Sequence, residues 1–230
     1  MTNKYLNTCS TVVVDNTCFD MLTDEQRLII EENKVRVSYN KGETICKQGS
    51  QATHVLILED GLVKVYLEGK PKNLILSIIP SGQIIGLPAI FDSNKTFIYS
   101  VTTYVDSVVQ MINIDVIKHM ISINAQFAGR IINILNENTA QTYGRFYCLM
   151  QKQLHGRMAD ILLCLSHRIY KSKGFQLPLS RHDLGELTGM STESVIRIFK
   201  DFKDEKLISV NAKSIEILNE ERLLMISDKG

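Results

Sequence analysis

The sequence predicts an α+β chain in which an antiparallel β-roll is followed by one long helix and a winged helix-turn-helix. Three observations carry that reading. Between Val35 and Ile114, short β-rich runs alternate with glycine turns. From Ala125 to about Gln153, helical period continues without a proline. From Ser180, two short amphipathic helices flank a glycine turn and lead into a hairpin. The chain has 230 residues, 44% hydrophobic and 22% charged, which is close to the globular average and enough for two ordinary cores.

The first element is a helix: Thr23, followed by Glu25 and Gln26, suits an N-cap and first turn ahead of Leu28, Ile29 and Ile30. Strands are then expected at Val35 to Tyr39, His54 to Leu58, Leu62 to Leu67, Leu74 to Ile79, Phe97 to Thr103 and Ser107 to Ile112. The turns between them carry Gly42, Gly49, Gly61, Gly69 and Gly82, and near-regular strands with glycine turns fold as a small antiparallel roll. Helical period returns in a short piece from Asp115 to Ile123. These residues, 1–124, form one predicted domain.

The long helix, 125–153, carries a seam. Ile132, Leu135, Thr139, Thr142, Phe146, Leu149 and Gln153 follow at alternating steps of three and four, the spacing by which two helices pack along their length. At 1.5 Å per residue the helix is about 40 Å long, more than a small domain needs for its own packing, so a partner helix is expected and the chain is read as a homodimer. Gly144 within it costs about 1 kcal/mol relative to alanine and marks a soft point.

Residues 154–230 form the third predicted piece. Met158, Ile161, Leu162, Leu165 and Ile169 define an amphipathic helix from Gly156 to Tyr170, and Phe175 to Leu179 is strand-like. Ser180 and Asp183 make a capping box for a short helix with Leu184 and Leu187 on one side. Gly189 and Met190 make the turn, and Ser191 or Thr192 caps the next helix. There Val195, Ile198 and Phe199 point inward while Glu193, Ser194 and Arg197 point outward. The chain is read as closing with a hairpin, Leu207 to Val210 and Ser214 to Leu218.

Charge and motifs narrow the function. Residues 144–213 carry 12 basic and 7 acidic side chains, whereas 1–143 carry 12 and 14, so the positive excess lies around the helix-turn-helix, where a polyanion such as DNA would bind. No apolar run approaches the roughly 18 residues of a membrane helix, and the first ten residues lack a secretory pattern, so a soluble, cytoplasmic protein without membrane contact is expected. The cysteines, Cys9, Cys18, Cys46, Cys148 and Cys164, never form C-x-x-C, which favours reduced thiols over a disulfide frame or zinc site; no metal site is expected. No G-x-S-x-G, P-loop or H-E-x-x-H is present, so an enzyme is not expected. Glu193 and Arg197 lie four apart on one helix face; Arg can take guanine O6 and N7, and Glu can accept from cytosine N4. An ordinary i, i+4 ion pair is the plain alternative.

The stretches KGETICKQGS, EDGLVKVYL, PSGQIIG, GRMADILLCLS and LPLSRHDLGELTGMSTESVIRIFKDFKDEKLIS together resemble the family of the cyclic-AMP receptor protein and the fumarate and nitrate reduction regulator, bacterial dimeric transcription factors. The resemblance covers nearly the whole chain. It implies a cyclic-nucleotide-binding-like jelly roll, a dimerisation helix with Ile132, Leu135, Thr139, Thr142, Phe146 and Leu149 in its interface, and a winged helix that binds palindromic promoter DNA, with RNA polymerase as a further partner. It assigns base reading to Glu193 and Arg197. Ser191, Thr192 and Ser194 stand in the same early turn as DNA contacts, and Arg181, Lys200 and Lys203 are expected on phosphates. Thr192 departs from the family's additional base-contacting Arg.

The effector region departs further. The family's nucleotide-binding Glu and Arg positions correspond to Leu87 and Tyr99, while Gly86 and Ser100 remain. Without the Arg, a buried phosphate would lack its cation, which speaks against cyclic AMP. The expected pocket comprises Gly86, Leu87, Tyr99 and Ser100 with Thr142 and Tyr143 of the long helix. Cys9 and Cys18 alone do not make the closely spaced N-terminal set of an iron–sulfur branch. Haem held by His54, His119 or a cysteine stays open, as does a thiol-based signal, and so does a signalling module of this architecture that does not bind DNA.

Overall fold

The computed structural model describes residues 17–90 and 95–229. The described residues divide into two compact units, one formed by 17–68 together with 78–139, the other by 69–77 together with 140–229.

In the first unit a short 3-10 turn, Thr17–Met21, leads into α1, Asp24–Glu32. Thr23 caps α1 with a reciprocal box: its hydroxyl accepts from the Gln26 N–H at 3.3 Å and Gln26 Oε1 accepts from the Thr23 N–H at 3.1 Å. Eight strands follow: β1 Lys34–Tyr39, β2 Thr44–Cys46, β3 His54–Asp60, β4 Leu62–Leu67, β5 Leu74–Pro80, β6 Gln83–Ile85, β7 Ser100–Thr103 and β8 Ser107–Asn113. They form two four-stranded sheets, β1-β8-β3-β6 and β2-β7-β4-β5. Val55, Leu56, Leu58, Val63, Val101, Val109 and Ile112 supply the buried core. Gly61 stands at φ 118°, and a Cβ there would overlap the Ser107 side chain, so this turn between β3 and β4 admits only glycine.

Two strands of the roll, β2 and β6, were not expected from the sequence. At three residues each they are too short to show a period, and it is pairing with β7 and β3 that makes them strands. β7 starts three residues later than the β-rich run that predicts it; Phe97, at the start of that run, instead exchanges backbone hydrogen bonds with Gly49 and Ser50, next to an isolated bridge between Thr96 and Gln51. Then come α2, Ile114–Ile123, and α3, Ala125–Gln151, the long helix that spans both units. The Asn124 side chain between them donates to Gln26 Oε1 at 2.8 Å and to the Met21 carbonyl at 2.9 Å, tying the helix joint to α1.

The second unit continues with α4, Leu154–Cys164, whose last turns widen into a π-helical segment, Leu165–Tyr170, where the sequence predicted unbroken α-helix. β9, Gly174–Gln176, precedes α5, Arg181–Thr188, and α6, Thr192–Asp204. β10, Ile208–Asn211, and β11, Ser214–Ile217, pair antiparallel, and β9 adds to β11 as a third strand. The chain does not close on this hairpin. A further helix, α7 Glu220–Lys229, follows, its start marked by the Arg222 N–H donating to Asn219 Oδ1 at 3.0 Å. Among the described residues no helix is long and apolar enough to cross a membrane.

Beneath this unit lies a buried polar cluster. Lys152 Nζ, one residue past α3, donates to Asp160 Oδ2 of α4 at 2.7 Å; the Cys148 thiol of α3 donates to the same oxygen at 3.1 Å. The Ser227 hydroxyl of α7 donates to Asp160 Oδ1. One carboxylate thus ties three helices together.

Candidate nucleic-acid interface

The helix-turn-helix is built by two caps and a close turn. Ser180 and Asp183 form the predicted box at the start of α5: Asp183 N–H donates to Ser180 Oγ at 3.0 Å, and the Ser180 N–H and hydroxyl donate to Asp183 Oδ2 at 2.9 and 2.6 Å. The turn doubles back so tightly that a Cβ on Gly185 would lie 2.9 Å from the Met190 carbonyl, which leaves glycine as the only fit. Ser191 is the N-cap of α6, its hydroxyl accepting from the Ser194 N–H at 3.2 Å. A cap exposes the remaining N–H groups of the first turn to an anion.

α6 has two distinct faces. Val195, Ile198, Phe199 and Phe202 are buried, while Glu193, Arg197, Lys200 and Lys203 are exposed. Thr192 and Ser194 are half-buried beside them. The Glu193 carboxyl is held below the usual carboxylate range, first by its own backbone N–H and then by the Ser191 hydroxyl, so it stands ready as an ionised acceptor. Ile196, 55% exposed, shares the open face and was missed in the sequence. Its signal was available, a β-branched residue out of phase with the buried stripe, and such a side chain suits a thymine methyl.

Arg181, expected on a phosphate, also packs against α6. Its guanidinium lies 3.7 Å from the centroid of the Phe199 ring and is half-buried, so it packs on α6 as a cation over an aromatic face. Arg197 also lines a cleft of about 450 Å3 with Gln151, Lys152, Gln153, Leu154, His155 and Arg157 at the junction of α3 and α4. His155 Nε2 lies 3.0 Å from Asp201 Oδ2 of α6.

In the roll, Gly86, Leu87, Tyr99 and Ser100 lie in one unit. Tyr99 Oη accepts from the Gly86 N–H at 3.0 Å, and burial pushes its hydroxyl up to about 12. Leu87 is buried. Ser100 is fully buried, and its hydroxyl donates to Glu68 Oε1 at 2.6 Å while accepting from the Gln48 N–H at 2.9 Å. The Glu68 N–H donates in turn to Gln48 Oε1 at 2.8 Å. The serine that the resemblance gives to a phosphate is thus already bonded to a carboxylate, a partner no sequence spacing announced. Thr142 and Tyr143 belong to the other unit, on the exposed side of α3.

Along α3 the expected seam is partly open. Ile132, Thr139, Thr142 and Phe146 are exposed and Leu135 half-buried, but Leu149 Cδ2 lies 3.4 Å from the position a Cβ on Gly189 would take, packed against the helix-turn-helix. Tyr143 and Met150, seven apart, extend the exposed apolar stripe instead. Cys18, Cys46, Cys148 and Cys164 are buried and none of them forms a disulfide among the described residues, and Cys9 lies outside the described residues. Burial pushes the Cys18 and Cys46 thiols up to about 12, which keeps them inert. His54 Nδ1 lies 2.8 Å from the Thr53 hydroxyl. Among the described residues no group of three or more His, Cys, Asp or Glu is arranged to hold a metal.

Two family models match this chain: a cyclic nucleotide-binding domain over residues 36–124 and a Crp-like helix-turn-helix domain over 156–226. The chain belongs to the CRP/FNR family of transcription regulators. The fumarate and nitrate reduction regulatory protein of Vibrio cholerae is 23% identical over 230 residues, covering 95% of this chain and 90% of that protein. The cAMP-activated global transcriptional regulator CRP of Salmonella typhimurium is 26% identical over 183 residues, covering 78% and 87%. Among solved structures, FixK2 of Bradyrhizobium japonicum matches the fold with a TM-score of 0.78 at 21% identity, over 86% of this chain and 98% of that one. The β-roll, long helix and C-terminal helix-turn-helix are therefore the architecture of a CRP/FNR regulator.

Proposed function

We propose that this CRP/FNR regulator binds inverted-repeat promoter DNA as a homodimer, reads bases with Glu193 and Arg197, and is controlled by a signal other than cyclic AMP. The observation that carries this is α6 itself: Glu193, Ile196 and Arg197 stand exposed on a helix whose opposite face, Val195, Ile198, Phe199 and Phe202, is buried. Such a helix presents its N-terminal half to a major groove, and Lys200 and Lys203 beyond it suit the phosphates. The exposed stripe on α3 supports pairing of two copies, which would set two reading helices about 34 Å apart, one turn of B-DNA. Acting on promoters with RNA polymerase, the protein would work in the cytoplasm and needs no catalytic chemistry.

Two roll residues support the exclusion of cyclic AMP. Tyr99 replaces the cation a cyclic phosphate needs, and Glu68 places a carboxylate on Ser100, where a phosphate would meet like charge. Selection of binding sites from random-sequence DNA, run with and without cyclic AMP, tests both halves. An inverted repeat enriched equally in both runs is expected. No enrichment would contradict DNA reading, and enrichment only with cyclic AMP would show that the roll binds it.

A further inference from the structure

Residues 69–77, the turn after β4 and the start of β5, group with the C-terminal unit and grip the helix-turn-helix. Lys72 Nζ donates to the Met190 carbonyl at 3.3 Å, and the Asn73 N–H donates to Glu186 Oε1 of α5 at 3.1 Å. Between them, Arg145 of α3 donates through Nη2 to the Ile75 carbonyl at 2.7 Å and to the Leu187 carbonyl. Arg145 and Glu186 are only 5% and 4% exposed, so both charged groups are spent on these bonds away from water, where charge-assisted hydrogen bonds are strong and directional.

The positions gripped are specific. Leu187, in the last turn of α5, and Met190, just before the Ser191 cap, lie on either side of Gly189, the left-handed C-cap of α5. Holding those two carbonyls holds the angle between α5 and α6. The grip leaves the reading face open, since Glu193, Ile196, Arg197 and Lys200 are exposed while it is made. A contact that covered α6 would block DNA, whereas one that orders the turn and leaves α6 free lowers the ordering cost that DNA binding must otherwise meet.

We infer that Arg145, Lys72 and Glu186 form a clip by which residues 69–77 position the helix-turn-helix, a role that rests on the DNA-binding reading for its consequence and not for its geometry. These are positioning residues. The segment follows β4 and runs into β5.

The test compares Lys72→Met and Glu186→Leu in the full-length protein by amide hydrogen exchange without DNA and by titration with the selected inverted repeat. Glu186→Leu separates the clip from simple electrostatics: removing an acid near DNA would tighten binding, whereas losing the clip weakens it. Each variant is expected to speed exchange in 187–194 and to weaken specific DNA binding roughly 3- to 30-fold. His182→Ala, which removes the other neighbour of Glu186 Oε1 at 3.3 Å, is expected to change neither. Lys72 is exposed, so its variant folds whatever becomes of Glu186→Leu. Exchange equal to wild type in Lys72→Met, or faster exchange with DNA affinity unchanged or increased, overturns the clip. Should the wild type bind no DNA, the DNA-binding reading fails, and the exchange comparison alone decides whether the clip exists.

Discussion

Glutamate at both Ile132 and Phe146 is expected to give a folded monomer whose affinity for the inverted repeat falls about 100-fold or more. The two side chains, 56% and 66% exposed, lie fourteen residues apart on one stripe of α3, with Thr139 midway. Burying an apolar side chain of this size contributes about 1.5–3 kcal/mol, and two-fold symmetry counts each one twice. Four glutamates brought together on one seam reverse that gain and add like-charge repulsion. The monomer keeps an intact α6 but engages one half-site, losing the advantage of a linked second contact. Leu149 is left untouched because it packs on the turn at Gly189. Sedimentation shows the outcome directly; dimers that persist at low micromolar concentration would place the interface elsewhere.

Asp160→Ala is expected to cost about 3–5 kcal/mol of stability, because it leaves the Lys152 ammonium buried without its carboxylate. The same change removes the acceptor for the Cys148 thiol and the Ser227 hydroxyl, loosening α3, α4 and α7 together. Replacing both charges, Lys152→Met with Asp160→Leu, is expected to recover most of the loss, since apolar packing of similar volume avoids the desolvation that a buried ion pair carries. Urea unfolding midpoints read both effects. A single variant within about 1 kcal/mol of wild type would show that water reaches the Lys152 ammonium.

Local chemistry was legible in the sequence wherever cause and effect lie within a few residues. The Thr23 and Ser180 boxes, the Gly61 turn, the Ser191 cap and the inward stripe of α6 each follow from residues at most four apart. β2 and β6 were not legible because three residues carry no period, and their strand character comes from partners far along the chain. α7 was overlooked although Asn219 with Glu220 and Glu221 is an N-cap and acidic first turn, because the hairpin before it reads as an ending. The Glu68–Ser100 bond, the Arg181–Phe199 stack and the clip on Met190 join residues 18 to 118 apart, and no local pattern distinguishes those partners from other polar side chains. Of the predicted site residues of α6, Glu193, Arg197 and Lys200 share one face because they stand four and three apart on a single helix.

Base reading by α6 is tested most directly by the ratio of affinity for the inverted repeat to affinity for random DNA, measured for wild type and Arg197→Ala at fixed salt. Losing a side chain that contacts a base edge costs about 1–3 kcal/mol on the specific site only, whereas losing a phosphate contact weakens both complexes alike. The ratio is expected to fall about 5- to 150-fold, with preference relaxed at one base position in each half-site. A ratio unchanged by Arg197→Ala would contradict base reading by α6.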